Sequence, residues 1–284
     1  MLALAIQKSG RLSEKTKHLL NESGVYFENG SRNPLKSKAV NFPLQILYLR
    51  DDDIPEFVAD GIADAGVVGE NVCLEKGKNV EVVEKLGFAR CRLSIAVPKN
   101  MSYNSVQDLA GLRIATSYPR ILQKFLDENN VRAEIHEVNG SVEIAPGIGF
   151  ADAIFDIVST GSTLISNGLK EVETVMHSEA ILIAHPSLTE EKRQYLDQLV
   201  FRFKAVNKAR NYKYILLNAP NNAIDKIAQI LPGMKSPTVM PLALEGWSSV
   251  HSVVKEDDFW EVIENLREAG AQGILVIPIE KMIV

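Results

Sequence analysis

The chain has 284 residues, 46% of them hydrophobic and 24% charged, with a formal net charge of -5. That length is enough for about two or three domains and a sizeable core, and the acidic balance argues against nucleic acid as a main partner. Two cysteines, Cys73 and Cys91, are too few for a disulfide framework or a Cys-based zinc site. No apolar run approaches a membrane span and the N-terminus lacks a signal-peptide pattern, so no membrane partner and a cytoplasmic location are expected.

The run 2–6 reads as a buried strand. Gln7-Lys8-Ser9-Gly10-Arg11 follows, placing two cations beyond the carboxyl end of a strand, where ligands sit in open α/β sheets. A helix is expected through 20. Residues 26–43 show no period and read as loop or irregular strand. A strand at 44–49 ends at Arg50. Asp53 is a candidate N-cap for the next helix, with Pro55 in its first turn and Gly61 closing it. Strands are expected at 63–68, 93–97 and 112–115. A capping pattern at Ser105-Val106-Gln107-Asp108 opens a short helix, and another helix covers 120–128. A strand is expected at 131–138, and a short helix within 141–149, broken by Pro146 and Gly147, holds Glu143.

The stretch 151–163 carries the densest chemistry. An apolar run with two carboxylates, Asp152 and Asp156, ends in the loop Ser159, Thr160, Gly161, Ser162, Thr163, and a short helix follows. Hydroxyls, a glycine and unpaired backbone amides at a helix start favour an anion such as phosphate. A carboxylate beside it would suit ribose hydroxyls or a cation developing at an anomeric carbon. A short repeat is also visible: Gly61-Ile62-Ala63-Asp64-Ala65 recurs as Gly149-Phe150-Ala151-Asp152-Ala153, consistent with two related lobes.

Strands at 172–176 and 180–184 precede a long amphipathic helix at 189–210, whose stripe of Leu196, Leu199, Val200, Phe203 and Val206 reads as core. The remainder orders as strand 214–217, helix 223–231, a break at Pro232-Gly233, strands 238–242 and 249–254, helix 257–269 and strand 273–279. That βαββαβ order is ferredoxin-like and closes on itself, which places a boundary near Ala209.

The five histidines are scattered, and neither a GxSxG nor a Walker A sequence is present. What remains is a set of anion-friendly groups at strand ends, Lys8, Arg11, Arg50 and the 159–163 loop, which suggests a polyphosphate substrate accompanied by Mg²⁺.

These blocks resemble the ATP phosphoribosyltransferase family in its long form, with a C-terminal regulatory domain. The most specific block is 143–164, with the order Glu–Gly–Asp–Ser/Thr-Gly-x-Thr-Leu. Gln7-Lys8-Ser9-Gly10-Arg11-Leu12, Arg50-Asp51-Asp52-Asp53-Ile54-Pro55, residues 66–71 and Ala115-Thr116-Ser117-Tyr118-Pro119 accompany it in the family order. The resemblance implies an α/β fold with a two-lobed, type II periplasmic-binding-protein-like catalytic core plus the ferredoxin-like domain. Residues 1–91 and 177–209 would form catalytic domain I, 92–176 domain II, and 210–284 the regulatory domain. The chain would cross between lobes near Arg92 and return near His177.

The implied reaction joins ATP to phosphoribosyl pyrophosphate through adenine N1, releases pyrophosphate and requires Mg²⁺. The loop from Asp156 to Thr163 would hold the 5-phosphate. Glu143 and Asp152 would contact the ribose or metal, Lys8, Arg11 and Arg50 the pyrophosphate or ATP phosphates, and Tyr118 the adenine. The resemblance identifies neither a general base nor a metal-contacting carboxylate. Arg50→Ala and Asp152→Asn are each expected to lower kcat/KM by at least about tenfold. Met234-Lys235-Ser236-Pro237-Thr238 resembles the family's histidine-sensing turn, with Ser236 and Thr238 as contacts for L-histidine as inhibitor. Dimers and hexamers are the implied homo-oligomers. A prephenate dehydratase-like enzyme and a non-catalytic solute-binding module are the competing readings. The former needs no phosphate loop, and the latter leaves the terminal domain unexplained.

Overall fold

The computed structural model describes residues 1–27, 35–231 and 233–283. Residues 28–34, within the stretch read as loop or irregular strand, and Pro232 of the Pro232-Gly233 break lie outside the described residues. In chain order β1 (Leu2–Gln7), α1 (Arg11–Glu22), β2 (Lys36–Lys38), β3 (Leu44–Leu49), α2 (Ile54–Ala59), β4 (Ala65–Gly69), α3 (Glu70–Lys76) and β5 (Glu81–Lys85) come first. Then follow β6 (Cys91–Pro98), β7 (Arg113–Thr116), α4 (Pro119–Glu128), β8 (Glu134–Glu137), β9 (Ala153–Val158), α5 (Ser162–Ser166) and β10 (Leu169–Ser178). Next are β11 (Ala180–Ala184), α6 (Glu190–Arg210), β12 (Tyr212–Pro220), α7 (Ile224–Ile230), β13 (Thr238–Pro241), β14 (Trp247–Lys255), α8 (Phe259–Glu268) and β15 (Gln272–Pro278).

The chain packs as two compact units. One comprises Met1–His18 with Val25–Leu196, the other Leu19–Gly24 with Asp197–Val284. The first unit holds two sheets, each the centre of a lobe. Their orders are β2-β3-β1-β4-β11-β5 and β10-β6-β9-β7-β8. Apart from the edge strand β2, both follow one plan. A parallel trio (β3-β1-β4 and β8-β7-β9) is followed by one antiparallel strand belonging to the crossing chain, β11 or β6, and then by an outer strand, β5 or β10. This is the two-lobed arrangement of type II periplasmic binding proteins. β9 is buried on both faces: Ala153 and Phe155 enter one apolar cluster, Ile154 and Val158 the other. That explains its unbroken apolar run.

α3 and β5 are elements the sequence reading did not anticipate. α3 spans only seven residues, and β5 is a short edge strand of sequence Glu-Val-Val-Glu-Lys, so neither shows a full period. Asp53 occupies the N-cap of α2 without a side-chain capping bond, because residues Asp51–Asp53 form a 3-10 turn running straight into the helix. The helix expected within 141–149 is reduced to the 3-10 turn Val142–Ile144, which carries Glu143.

In the second unit the order β13-β14-β12-β15 is antiparallel throughout, as a ferredoxin-like βαββαβ domain requires. Ile215, Leu217, Val250, Ile227 and Leu266 form its core under α7 and α8. No helix among the described residues is long and apolar enough to cross a membrane.

Candidate active site

Parallel pairing puts the carboxyl ends of β1, β3 and β4 at one edge of the first sheet, and those of β7, β8 and β9 at one edge of the second. Residues from the two edges meet. A pocket of about 440 Å³ is lined by Arg11, which follows β1, and by Glu143, Asp156, Ile157, Val158, Ser159, Thr160, Gly161, Ser162, Thr163 and Leu164. Gly161 sits at the N-cap of α5 with φ +81°, a left-handed conformation that glycine takes without strain. This turn leaves the amides of Gly161, Thr163 and Leu164 without an acceptor among the described residues. The Thr160 and Ser162 hydroxyls lie 3.1 Å apart at the same mouth. Free amides and hydroxyls facing one arginine make an oxyanion cradle.

Asp156 and Glu143 form the acidic wall. Burial pushes the Asp156 carboxyl up, and the neighbouring Glu143 charge adds to this, against the bond from the Ile157 amide. Two carboxylates sharing one pocket favour an approaching cation. No cluster of three or more His, Cys, Asp or Glu suited to a metal exists among the described residues. The pair fits Mg²⁺ bound by one or two carboxylates together with substrate phosphates.

Lys8 and Arg50 are both exposed, and their strand ends are joined by the Lys8 amide donating to Leu49 O at 2.8 Å. They do not line the pocket itself. Neither forms an ion pair among the described residues, so both charges are available at these strand ends. Tyr118 is half-buried at the start of α4 and accepts a bond from Asn71 Nδ2 at 3.2 Å. Its hydroxyl pKa is raised by burial first, then by the charges of Asp156, Asp52 and Asp51. Tyr118 therefore stands within electrostatic reach of Asp156.

Asp152 is placed differently from the expectation. It precedes β9, at the opposite end of the strand from the oxyanion loop. Its carboxylate accepts from the Arg113 amide at 2.9 Å and from the Arg113 guanidinium at 3.1 and 2.8 Å. Arg113 holds the Asp152 pKa below its usual value, through side-chain and backbone bonds. The repeat partner Asp64 does the same in the first lobe: its carboxylate accepts from the Ala3 amide at 2.8 Å and from Lys192 Nζ at 2.7 Å. Both aspartates tie the start of the last strand of a lobe's parallel trio, β4 or β9, to the start of its central strand, β1 or β7. The repeat already visible in the sequence is the signal for this matched pair of ties. From this position Asp152→Asn is expected to act on the stability of the second lobe more than on kcat/KM.

Two supporting groups escaped the sequence reading. Asn71 exchanges bonds with Ser178, 3.1 Å from its amide and 2.9 Å to its Oδ1, which fixes the amide that meets Tyr118. Arg92 donates to Glu171 at 2.5 and 2.6 Å, and its Nη1 reaches Ser159 O at 3.3 Å, bracing the oxyanion loop from behind. The Arg92 bonds, with help from Ser94, hold the Glu171 pKa at about 2, below the ordinary 4.5. A lowered carboxyl pKa stabilises the fold above the unfolded value and is lost as pH falls through the folded value. Glu171→Gln is therefore expected to lower Tm at pH 7. Melting curves should show that difference shrinking from about pH 4.5 and closing near about pH 2.

In the second unit, Ser236 and Thr238 are exposed, and Ser236 Oγ donates to Pro237 O at 3.2 Å. Thr238 pairs in register with His251. Neither lines the neighbouring pocket of about 490 Å³, which Tyr212, Leu231, Met234, Val253 and Met282 help to form.

The sequence profile described as ATP phosphoribosyltransferase matches residues 50–205, and that of the family's C-terminal domain matches 209–281. The ATP phosphoribosyltransferase of Cytophaga hutchinsonii is 62% identical over 283 residues, covering 100% of this chain and 99% of the relative. That of Bacteroides thetaiotaomicron is 55% identical over 284 residues, covering 100% of both. Among solved structures, a chain of the ATP phosphoribosyl transferase (HisG:HisZ) complex of Thermotoga maritima matches with TM-score 0.62 and 28% identity. The match covers 72% of this chain and 96% of that one. With full-length relatives at this identity and both profiles in chain order, the chain belongs to the ATP phosphoribosyltransferase family, which transfers phosphoribosyl from phosphoribosyl pyrophosphate to ATP in the first step of histidine biosynthesis.

Proposed function

We propose that the pocket between Arg11 and the 156–164 loop is where this chain carries out that transfer. The observation that carries the reading is one cavity joining an oxyanion cradle, a cation and two carboxylates. Ser159, Thr160, Gly161, Ser162 and Thr163 hold the ribose 5-phosphate. Arg11, with Lys8 and Arg50 at the rim, holds pyrophosphate or the ATP phosphates. Glu143 and Asp156 face the sugar. Adenine N1 forms its bond to the anomeric carbon as the carbon–oxygen bond to pyrophosphate breaks, with both electrons leaving on pyrophosphate. N1 carries its own lone pair, so no general base is assigned. Positive charge developing on the ribosyl group is stabilised by the carboxylates, and lobe approach supplies positioning. Glu143 and Asp156 would also hold Mg²⁺, which when bound neutralises phosphate charge. Tyr118 contacts the adenine.

The same reading assigns residues 1–91 and 177–209 to catalytic domain I, 92–176 to domain II and 210–284 to a regulatory domain. Each of these segments contributes mainly to one sheet, which supports the division. L-Histidine inhibits through Ser236 and Thr238, and the active form is a cytoplasmic homo-oligomer, dimer or hexamer. Mixing the protein with ATP, phosphoribosyl pyrophosphate and Mg²⁺ should produce the ultraviolet change of an N1-substituted adenine, and added L-histidine should suppress it. A null progress curve with both substrates present would remove the site reading. An active enzyme indifferent to histidine would remove only the regulatory part.

A further inference from the structure

Helix α4 has no cap of its own. Tyr118 at the N-cap makes no side-chain capping bond, and Pro119 carries no amide hydrogen. The next two amides are satisfied from the other lobe. Glu75, on α3, accepts from Arg120 N at 2.9 Å through one oxygen and from Ile121 N at 3.0 Å through the other. The relationship is reciprocal. Gly77 ends α3 in a left-handed conformation, and the Arg120 guanidinium lies directly against it: a Cβ there would stand 2.0 Å from Arg120 Nη1. An anion at the start of one helix and a cation at the end of the other both suit the helix dipoles. The Tyr118 hydroxyl meets Asn71, on the first turn of the same α3, at 3.2 Å.

The geometry points to Glu75 as a positioning residue: by capping α4 from the opposite lobe, it couples lobe approach to the placement of Tyr118 on the ATP side of the site. This rests on the proposed assignment of Tyr118 to adenine. Glu75 itself touches no reacting atom. When the lobes part, α4 loses its cap and Tyr118 loses its bearing. When they meet, two amides, a carboxylate and a guanidinium register at once. Glycine suits position 77 because the backbone there is left-handed, φ +55°, and a Cβ would also push the Arg120 guanidinium aside.

The test is steady-state kinetics of the full chain with each substrate varied. Glu75→Gln keeps the size of the side chain but sets an amide NH₂ against one of the two backbone donors. It should raise KM for ATP by about tenfold while KM for phosphoribosyl pyrophosphate stays within about twofold. Glu75→Asp should be intermediate. Gly77→Ala leaves the carboxylate in place, pushes Arg120 aside and strains the left-handed end of α3; it should shift the same constant, so the inference stays testable if a Glu75 variant folds poorly. Tyr118→Ala serves as reference. If it raises KM for ATP while Glu75→Gln and Gly77→Ala do not, the inference is overturned and the Tyr118 reading stands. If Tyr118→Ala leaves KM for ATP unchanged, the reading of Tyr118 falls and the inference with it. A Glu75→Gln effect of equal size on both constants, or on Tm alone, marks an ordinary structural role and also overturns it.

Discussion

Arg11→Ala is expected to lower kcat/KM for phosphoribosyl pyrophosphate by about a hundredfold, about 2.7 kcal/mol of transition-state stabilisation. Arg11 is the one cation lining the oxyanion pocket among the described residues. It comes from the first lobe, while the remaining lining comes from the second. Charge builds on the departing pyrophosphate as the bond to the anomeric carbon breaks, so the guanidinium acts most strongly in the transition state. Arg11→Lys keeps the charge without the planar fork and should recover part of the loss. The measurement is initial rate against phosphoribosyl pyrophosphate at saturating ATP and Mg²⁺. Loss smaller than about threefold would place Arg11 outside the site.

The largest loss of stability is expected at Asp64, not in the pocket. Asp64→Ala removes the acceptor of the Ala3 amide and the partner of Lys192. The aspartate is only 5% exposed, so water does not freely replace it at the Ala3 amide, while the Lys192 side chain, 37% exposed, can turn to solvent. The amide bond carries most of the loss and the exposed lysine little, about 2 kcal/mol together. Urea unfolding should show this as a lower midpoint at an unchanged slope. Asp152→Ala removes the equivalent tie in the second lobe. It should cost less, because the Arg113–Asp152 side chains are 39% and 35% exposed. Its kcat/KM should stay within about twofold of the parent. A large kinetic defect in correctly folded Asp152→Asn would return that carboxylate to the site.

Most elements were legible because each carried its own period or punctuation. β1, β3 and β11 are short apolar runs bounded by polar turns, and α6 carries a helical stripe in which Leu196, Leu199, Phe203 and Val206 are all buried. The ferredoxin-like order followed from element sequence alone. α3 and β5 were not legible: seven residues make fewer than two full turns, and an edge strand flanked by glutamates alternates too briefly to register. The cap of α4 was invisible for a different reason. Its partner is 45 residues away in sequence, and no local pattern announces it.

By itself the sequence determined the hydroxyl and glycine turn of Ser159, Thr160, Gly161, Ser162 and Thr163, because these residues at a strand-to-helix junction are local chemistry. It also determined the lobe repeat, because paired strands of equivalent position need equivalent starts. Tertiary structure alone decided which charges join that loop. Arg11 and Asp156 arrive in the same pocket, while Asp152, four residues earlier and just before β9, lies about 13 Å away along the chain direction and pairs with Arg113. Alternation places side chains on a face. Only the fold sets which end of that face meets the other lobe.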